Sequence, residues 1–331
     1  MPGAGASAGA GAGREAGEAA LAGERIRSRV IGREREVELA LAAVSAGRDL
    51  LLEGPPGTSK TTILKAITQE WGIPMFFIEG NADLTPAKLV GHHNPAQVLR
   101  EDYSAENFVP GPLVDAMQQG GFLYIEELNR APEDTMNTLL MAMGDRAISV
   151  PRVGRIEALP TFRVVASMNP YDNIGTARLS QSIHDRLNRI VIGYQDAEAE
   201  ARIVRLRAGL GADPGAEPGA DPGADPATLG ERIVGDAVAT TRATRTHPDV
   251  RQGSSVRGAI DTAMIAERLA ELRGIDAPGD ERYPELFYDA MTVGLSGRIH
   301  VDEAVETTPE RVLREIWEDR FILQPSAAAP G

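Results

Sequence analysis

Gly54-Pro55-Pro56-Gly57-Thr58-Ser59-Lys60-Thr61 is the stretch that decides the fold. The apolar run Leu50-Leu51-Leu52 precedes it, and Thr62-Ile63-Leu64-Lys65-Ala66-Ile67 follows with helical spacing. A strand, a glycine-rich turn and a Lys-Thr pair opening a helix together suit a phosphate chain, because N–H groups of the turn and of the helix N-terminus converge on anionic oxygens. On this reading Gly54, Pro55, Pro56, Gly57, Thr58, Ser59, Lys60, Thr61 and Thr62 line the phosphates of a nucleotide. Lys60 reaches the β- and γ-phosphates, and the Thr61 hydroxyl holds Mg²⁺. The common pattern has Gly directly before the Lys, where this chain has Ser59. The expectation is that Ser59 takes ordinary helical φ/ψ and the loop still closes. The competing reading, a Gly/Pro surface turn, does not account for the flanking strand and helix.

Working outward, Phe122-Leu123-Tyr124-Ile125-Glu126-Glu127 is an apolar run ending in two carboxylates. Beside a phosphate loop, Glu126 would hold the metal and Glu127 would orient or deprotonate the attacking water. Asp is usual at the first of these positions, so Glu126 leaves metal geometry and turnover open. Phe162-Arg163-Val164-Val165-Ala166-Ser167-Met168-Asn169 is a second buried-type run, and Asn169 at its end could contact the γ-phosphate or the water. Arg186 and Arg257 are candidate stabilisers of phosphate charge, and each could equally be a surface arginine. His92-His93 reads as a solvated loop, because no ligand spacing and no Cys accompany it.

The runs Leu50–Leu52, Met75–Ile78, Phe122–Ile125, Val164–Ser167 and Ile190–Ile192 alternate with helical patterns. Continuous apolar strands between helices predict an α/β fold, a parallel sheet covered on both faces. In such sheets ligands sit beyond the carboxyl ends of the strands, where these motifs fall. Residues 25–210 read as this nucleotide domain. Residues 211–229 repeat Ala-Asp/Glu-Pro-Gly and read as a linker, because Pro at every fourth position forbids a helix. Residues 230–323 read as an all-helical domain. Ser254 or Ser255 would cap a helix carrying Ile260, Met264, Ile265, Leu269 and Leu272 and ending at Gly274, and Thr308-Pro309-Glu310 would open another. Residues 1–24 and 324–331 read as disordered tails.

The chain has 331 residues, 42% of them hydrophobic, no Cys and a formal net charge of −14. The missing Cys excludes disulfides, thiolate metal sites and Cys nucleophiles. The negative charge argues against nucleic acid as a partner. No apolar run approaches the roughly 18–20 residues that span a bilayer, so no membrane insertion is expected and the cytoplasm is the default location.

Taken together these residues resemble the MoxR family of AAA+ ATPases. The resemblance runs through Gly54 to Thr61, Ala82-Asp83-Leu84-Thr85-Pro86, Val109-Pro110-Gly111-Pro112, Glu126-Glu127-Leu128-Asn129-Arg130-Ala131-Pro132, Ala166-Ser167-Met168-Asn169-Pro170 and Asp185-Arg186-Leu187. It implies a five-stranded P-loop domain with a C-terminal helical lid, assembled as a homo-oligomeric ring, usually a hexamer, with ATP and Mg²⁺ between subunits. It implies Lys60 and Thr61 as the phosphate-loop pair, Glu126 and Glu127 as the metal and water carboxylates, and Asn169 as first sensor. Arg186 would be the finger acting on the neighbouring subunit, with Arg178 or Arg189 as fallback because Leu187 stands where Phe is usual, and Arg257 would be the lid sensor. The implied function is ATP-driven, chaperone-like remodelling of a protein client, often with a von Willebrand factor A-domain partner. A chelatase-type motor, and a nucleotide-gated scaffold that hardly hydrolyses ATP, share these residues. Residues 84–107 and the hairpin predicted over 146–156, turning near Val153-Gly154, would carry the remodelling surface or be ordinary surface loops.

Overall fold

The computed structural model describes residues 22–97, 104–170, 179–210 and 228–323. These divide after Gly193 into two compact units, with Pro56–Thr58 grouping with the second.

The first unit is built on one sheet of five parallel strands. Its strands are β1 (Leu50–Glu53), β2 (Met75–Glu79), β3 (Phe122–Glu126), β4 (Arg163–Met168) and β5 (Asn188–Val191), in the spatial order β2-β3-β4-β1-β5. All five predicted strands are present, each shifted or lengthened by a residue or two. Leu50, Leu51 and Leu52 are fully buried. Their side chains alternate between two apolar clusters, Leu51 on one face and Leu50 and Leu52 on the other. Burial of each leucine contributes about 1.5–3 kcal/mol, which pins β1 in the middle of the sheet. Helices α1 (Glu34–Ser45), α2 (Lys60–Trp71), α3 (Pro112–Gln119), α4 (Glu133–Asp145) and α5 (Gln181–Arg186) belong to this unit. A helix over residues 22–29 buries Ala22 and Ile26, so residues 22–24 are helical and not part of a disordered tail.

Two hairpins project from the unit. Gly91–His93 pairs antiparallel with Phe108–Pro110, and the His93 ring packs edge-on against Phe108 at 5.5 Å. The base of this hairpin explains two of the motifs. Thr85 caps the short helix Pro86–Val90 by accepting from Lys88 N–H. Gly111 N–H donates to Val90, and a Cβ on Gly111 would lie 2.6 Å from the Leu89 carbonyl oxygen, so only glycine fits there. In the other hairpin Ala147–Val150 pairs with Gly154–Glu157. Its turn is Pro151 to Val153 with Arg152 in the left-handed region, one step before the predicted Val153-Gly154.

The second unit is helical, with α6 (Ala197–Ala208), α7 (Leu229–Thr246), α8 (Val256–Arg273), α9 (Tyr283–Leu295) and α10 (Pro309–Glu318). Asp196 caps α6 by accepting from Ala199 N–H at 2.7 Å, and Thr228 caps α7 by accepting from Glu231 N–H. Val204 and Leu210 lie in the core of this unit. The domain edge therefore falls before α6, not after residue 210 as predicted, and α7 starts within the predicted linker. The rest of that linker, residues 211–227, and the tail 324–331 lie outside the described residues.

Ser255 stands at the N-cap of helix α8 but its side chain makes no capping hydrogen bond there, and the helix ends at a left-handed Gly274 as predicted. Its fully buried face is lined by small side chains, with Ile260, Ile265 and Leu269 partly buried beside them. Ala259, Thr262, Ala263, Ala266 and Ala270 are inside, whereas Met264 and Leu272 are 45% and 83% exposed. The reason is close approach: a Cβ on Gly294 of α9 would meet Thr262 Oγ1 at 2.4 Å. Helices this near leave room only for small side chains.

Candidate functional site

The phosphate-loop segment leaves β1 at Glu53, and Gly54 N–H bonds to the Met168 carbonyl of β4 at 3.1 Å. Gly57 has φ +75° and Ser59 has φ +68° with ψ 17°, both left-handed. This corrects the expectation of helical φ/ψ at Ser59. The position asks for glycine because a Cβ there crowds the backbone, and the chain holds a serine in that conformation regardless. Left-handed residues alternating with others turn successive N–H groups to one side, the geometry of an anion nest. Lys60, 9% exposed, donates from Nζ to the carbonyls of Gly54 at 2.8 Å and Pro55 at 2.7 Å.

Thr61 lies in the first turn of α2. Its Oγ1 is 3.2 Å from Glu126 Oε1 and 3.1 Å from the Tyr124 hydroxyl. The tyrosine hydroxyl also donates to Ser167 Oγ at 3.1 Å. Burial above all pushes the Tyr124 pKa up, so this hydroxyl stays protonated and able to donate. Thr61, Tyr124, Glu126 and Ser167 thus form one network joining α2, β3 and β4. The longer reach of Glu126 is what brings it to Thr61. A hydroxyl and a carboxylate oxygen 3.2 Å apart are hard-oxygen donors that fit Mg²⁺.

Glu127 follows the end of β3 in the left-handed region, φ 56°, and its Oε2 is 3.0 Å from Arg130 Nε. Gly80, just beyond β2, donates its N–H to the Glu126 carbonyl at 2.7 Å. A Cβ on Gly80 would stand 2.3 Å from the Glu127 carbonyl oxygen. The strand ends are therefore packed so tightly that the backbone under the two carboxylates is set by Gly80. Asn169 is half-buried and directly follows β4, which runs in register with β1 up to Glu53 and Met168. Lys60, Thr61, Glu126, Glu127 and Asn169 are thus all borne on segments at the C-terminal ends of neighbouring strands.

Arg186 is not among them. It is the last residue of α5, two residues before β5 begins, and Asn188 of β5 pairs with Leu50 at the start of β1. The P-loop leaves β1 at the other end, three residues on, about 10 Å away along the strand. The Arg186 guanidinium lies toward Gly144 near the end of α4 and donates to the Ser182 carbonyl at 3.3 Å. Leu187 is buried in the core, which accounts for an aliphatic residue there. Arg189 is bound by Glu53 through two hydrogen bonds of 2.5 and 2.7 Å. Arg178 lies outside the described residues. Arg257 is exposed at the second position of α8.

Three residues of this site escaped the sequence reading: Gly80, Tyr124 and Ser167. A tyrosine and a serine inside otherwise apolar strands were the available signal, since buried polar groups need partners.

Residues 49–187 match the AAA domain of the dynein-related subfamily. That match and the five-stranded parallel sheet agree on an AAA+ P-loop fold for this segment. Among proteins similar to it, the gas vesicle ATPase GvpN of Ancylobacter aquaticus is 27% identical over 270 residues, covering 76% of this chain and 69% of that protein. A Staphylococcus aureus (strain USA300) protein described as uncharacterised is 27% identical over 255 residues, covering 76% of this chain and 92% of its own length. A point mutant of Thermotoga maritima RuvB superposes with a TM-score of 0.50 at 17% identity, covering 80% of this chain and 70% of that one. That likeness concerns the fold, a P-loop sheet with a helical C-terminal region. Among the described residues, no helix is long and apolar enough to cross a membrane.

Proposed function

We propose that this chain is a MoxR-type AAA+ motor that hydrolyses ATP in a homo-oligomeric ring, in the cytoplasm, to remodel a protein client. The observation that carries the reading is the position of Arg186. It stands at the N-terminal end of β5, while the phosphate-loop residues stand at the C-terminal end of β1. A cation so placed serves the nucleotide of a second copy, not its own.

Within each copy Lys60 meets the β- and γ-phosphates. The hydroxyl of Thr61 and the carboxylate of Glu126 are the residues that would hold Mg²⁺, which when bound neutralises phosphate charge. Glu127, steadied by Arg130 and by the backbone over Gly80, orients the attacking water and accepts its proton. Asn169 holds the water or the γ-phosphate, and Arg257 is the lid's cation. The similarity to GvpN, a gas vesicle ATPase, supports the ATPase reading, and the client is a protein engaged alone or with a von Willebrand factor A-domain partner.

The test mixes two inactive proteins. Arg186→Ala keeps an intact phosphate loop, and Lys60→Ala keeps an intact finger. Each alone has no complete shared site, whereas mixed rings contain some. Turnover above the sum of the parents, in rings shown to exchange subunits, is the expected result. No gain at any mixing ratio overturns the role of Arg186.

A further inference from the structure

At the end of the sheet opposite the phosphate loop, a cavity of about 820 Å³ is lined by four arginines and two aspartates: Arg48, Arg146, Arg163 and Arg186 with Asp49 and Asp185. A surplus of cations in a concavity is notable in a chain of net charge −14. Two of the guanidiniums are forced together. Arg163 Nη1 donates to the Phe162 carbonyl at 2.5 Å, and Arg146 Nη2 donates to the same carbonyl. Asp49 offsets them incompletely. One of its carboxylate oxygens accepts the Val164 N–H at 2.7 Å and stands 3.7 Å from Arg146 Nη1. Burial first, and the charge of Arg146 second, draw the Arg163 pKa down. Like charges held at one acceptor repel, and an anion entering the cavity relieves that repulsion.

We propose that this cavity is a phosphate-chain site in which Arg146 and Arg163 join Arg186 in contacting the nucleotide held by a neighbouring copy. The proposal rests on the ring reading above and extends it from a single finger to an arginine cluster. Arg146 and Arg163 come from the end of α4 and the start of β4, so their spacing from Arg186 is set by secondary structure and not by a loop.

The test uses full-length Arg146→Gln and Arg163→Gln, with thermal melting to establish folding and light scattering to follow assembly. Each should lower kcat by about 10²-fold, the scale for one aimed donor. KM for ATP should move less than about threefold, because the nucleotide's own phosphate loop is intact. Arg163→Lys should recover part of the loss, as a purely structural role would not. Should Arg163→Gln fail to fold, Arg146→Gln decides, since that side chain is 32% exposed. Unchanged kcat in the folded variants overturns the proposal. Titration of inorganic pyrophosphate into monomeric Lys60→Ala protein separates the sources. Tight binding there that vanishes with Arg163→Gln means a free anion and overturns the assignment to the neighbour's nucleotide. The mixing experiment with Arg186→Ala leaves Arg146 and Arg163 untouched, so failure of the ring is read separately from failure of the cluster.

Discussion

Ser59→Gly should stabilise the nucleotide-binding unit. Ser59 holds φ 68° and ψ 17° at the start of α2. A side chain with a Cβ in this region costs about 1–2 kcal/mol. Glycine removes that strain but loosens the unfolded chain, a loss of about 0.4–1 kcal/mol. The difference runs from about zero to about 1.6 kcal/mol, centred near 0.8 kcal/mol. At about 2–4 °C per kcal/mol for chains of this size, the midpoint of thermal unfolding should rise by about 2–3 °C. Urea unfolding followed by circular dichroism is the direct assay, with the denaturant slope unchanged. Ser59→Ala is the control: it keeps the strained backbone and loses only the hydroxyl, so it should be no more stable than wild type. A glycine variant less stable than wild type, or an alanine variant equally stabilised, would refute the strain argument.

The remaining predictions concern the carboxylates and the sheet ends. Glu127→Gln should keep ATP affinity and lose turnover by at least about 10²-fold, measured by calorimetry and phosphate release; wild-type turnover already that low would favour a nucleotide-gated scaffold. Gly80→Ala should push the Glu127 carbonyl aside, lowering kcat by about tenfold or more at a stability loss of about 1–3 kcal/mol; wild-type kcat in that variant would show the approach is not limiting. Burial raises the Asp49 pKa, so its contribution favours the folded state while the carboxyl is protonated and fades as pH rises through the raised value. Asp49→Asn should therefore flatten the pH dependence of the melting temperature above about pH 4, and an unchanged slope would count against this account.

The sheet was legible in the sequence because its strands are continuous apolar runs, and Lys60 and Thr61 were legible because the motif places them on a helix start. What stayed hidden was three-dimensional. A motif reports which residue stands at position 59 but not its dihedrals. The fully buried face of α8 is made of small side chains, Thr262 among them where Gly294 approaches, and a pattern of large apolar residues does not reveal that. Gly80 carries no local pattern at all; its importance lies in a backbone from another strand 2.3 Å from where its Cβ would be. The domain edge was drawn at the Pro-Gly tract, the strongest local signal, although α6 had already joined the helical core. Arg186 was legible as a candidate, but its distance from the phosphate loop follows only from strand pairing.

That strand order has a consequence for biosynthesis. Among the described residues, β1 pairs only with β4, which begins at Arg163, and β5, which begins at Asn188. At about 5–20 residues per second, a ribosome that has made β1 takes roughly 5–25 s more to reach β4. Through that interval Leu50, Leu51 and Leu52 have no strand beside them, and the phosphate loop has no Met168 carbonyl to close against. The first strand pair able to form is β2 with β3, which lacks every phosphate-contacting backbone group. Nucleotide therefore cannot template this domain on the nascent chain until the strand beginning at Arg163 has emerged, and the leucines stay without strand partners until then.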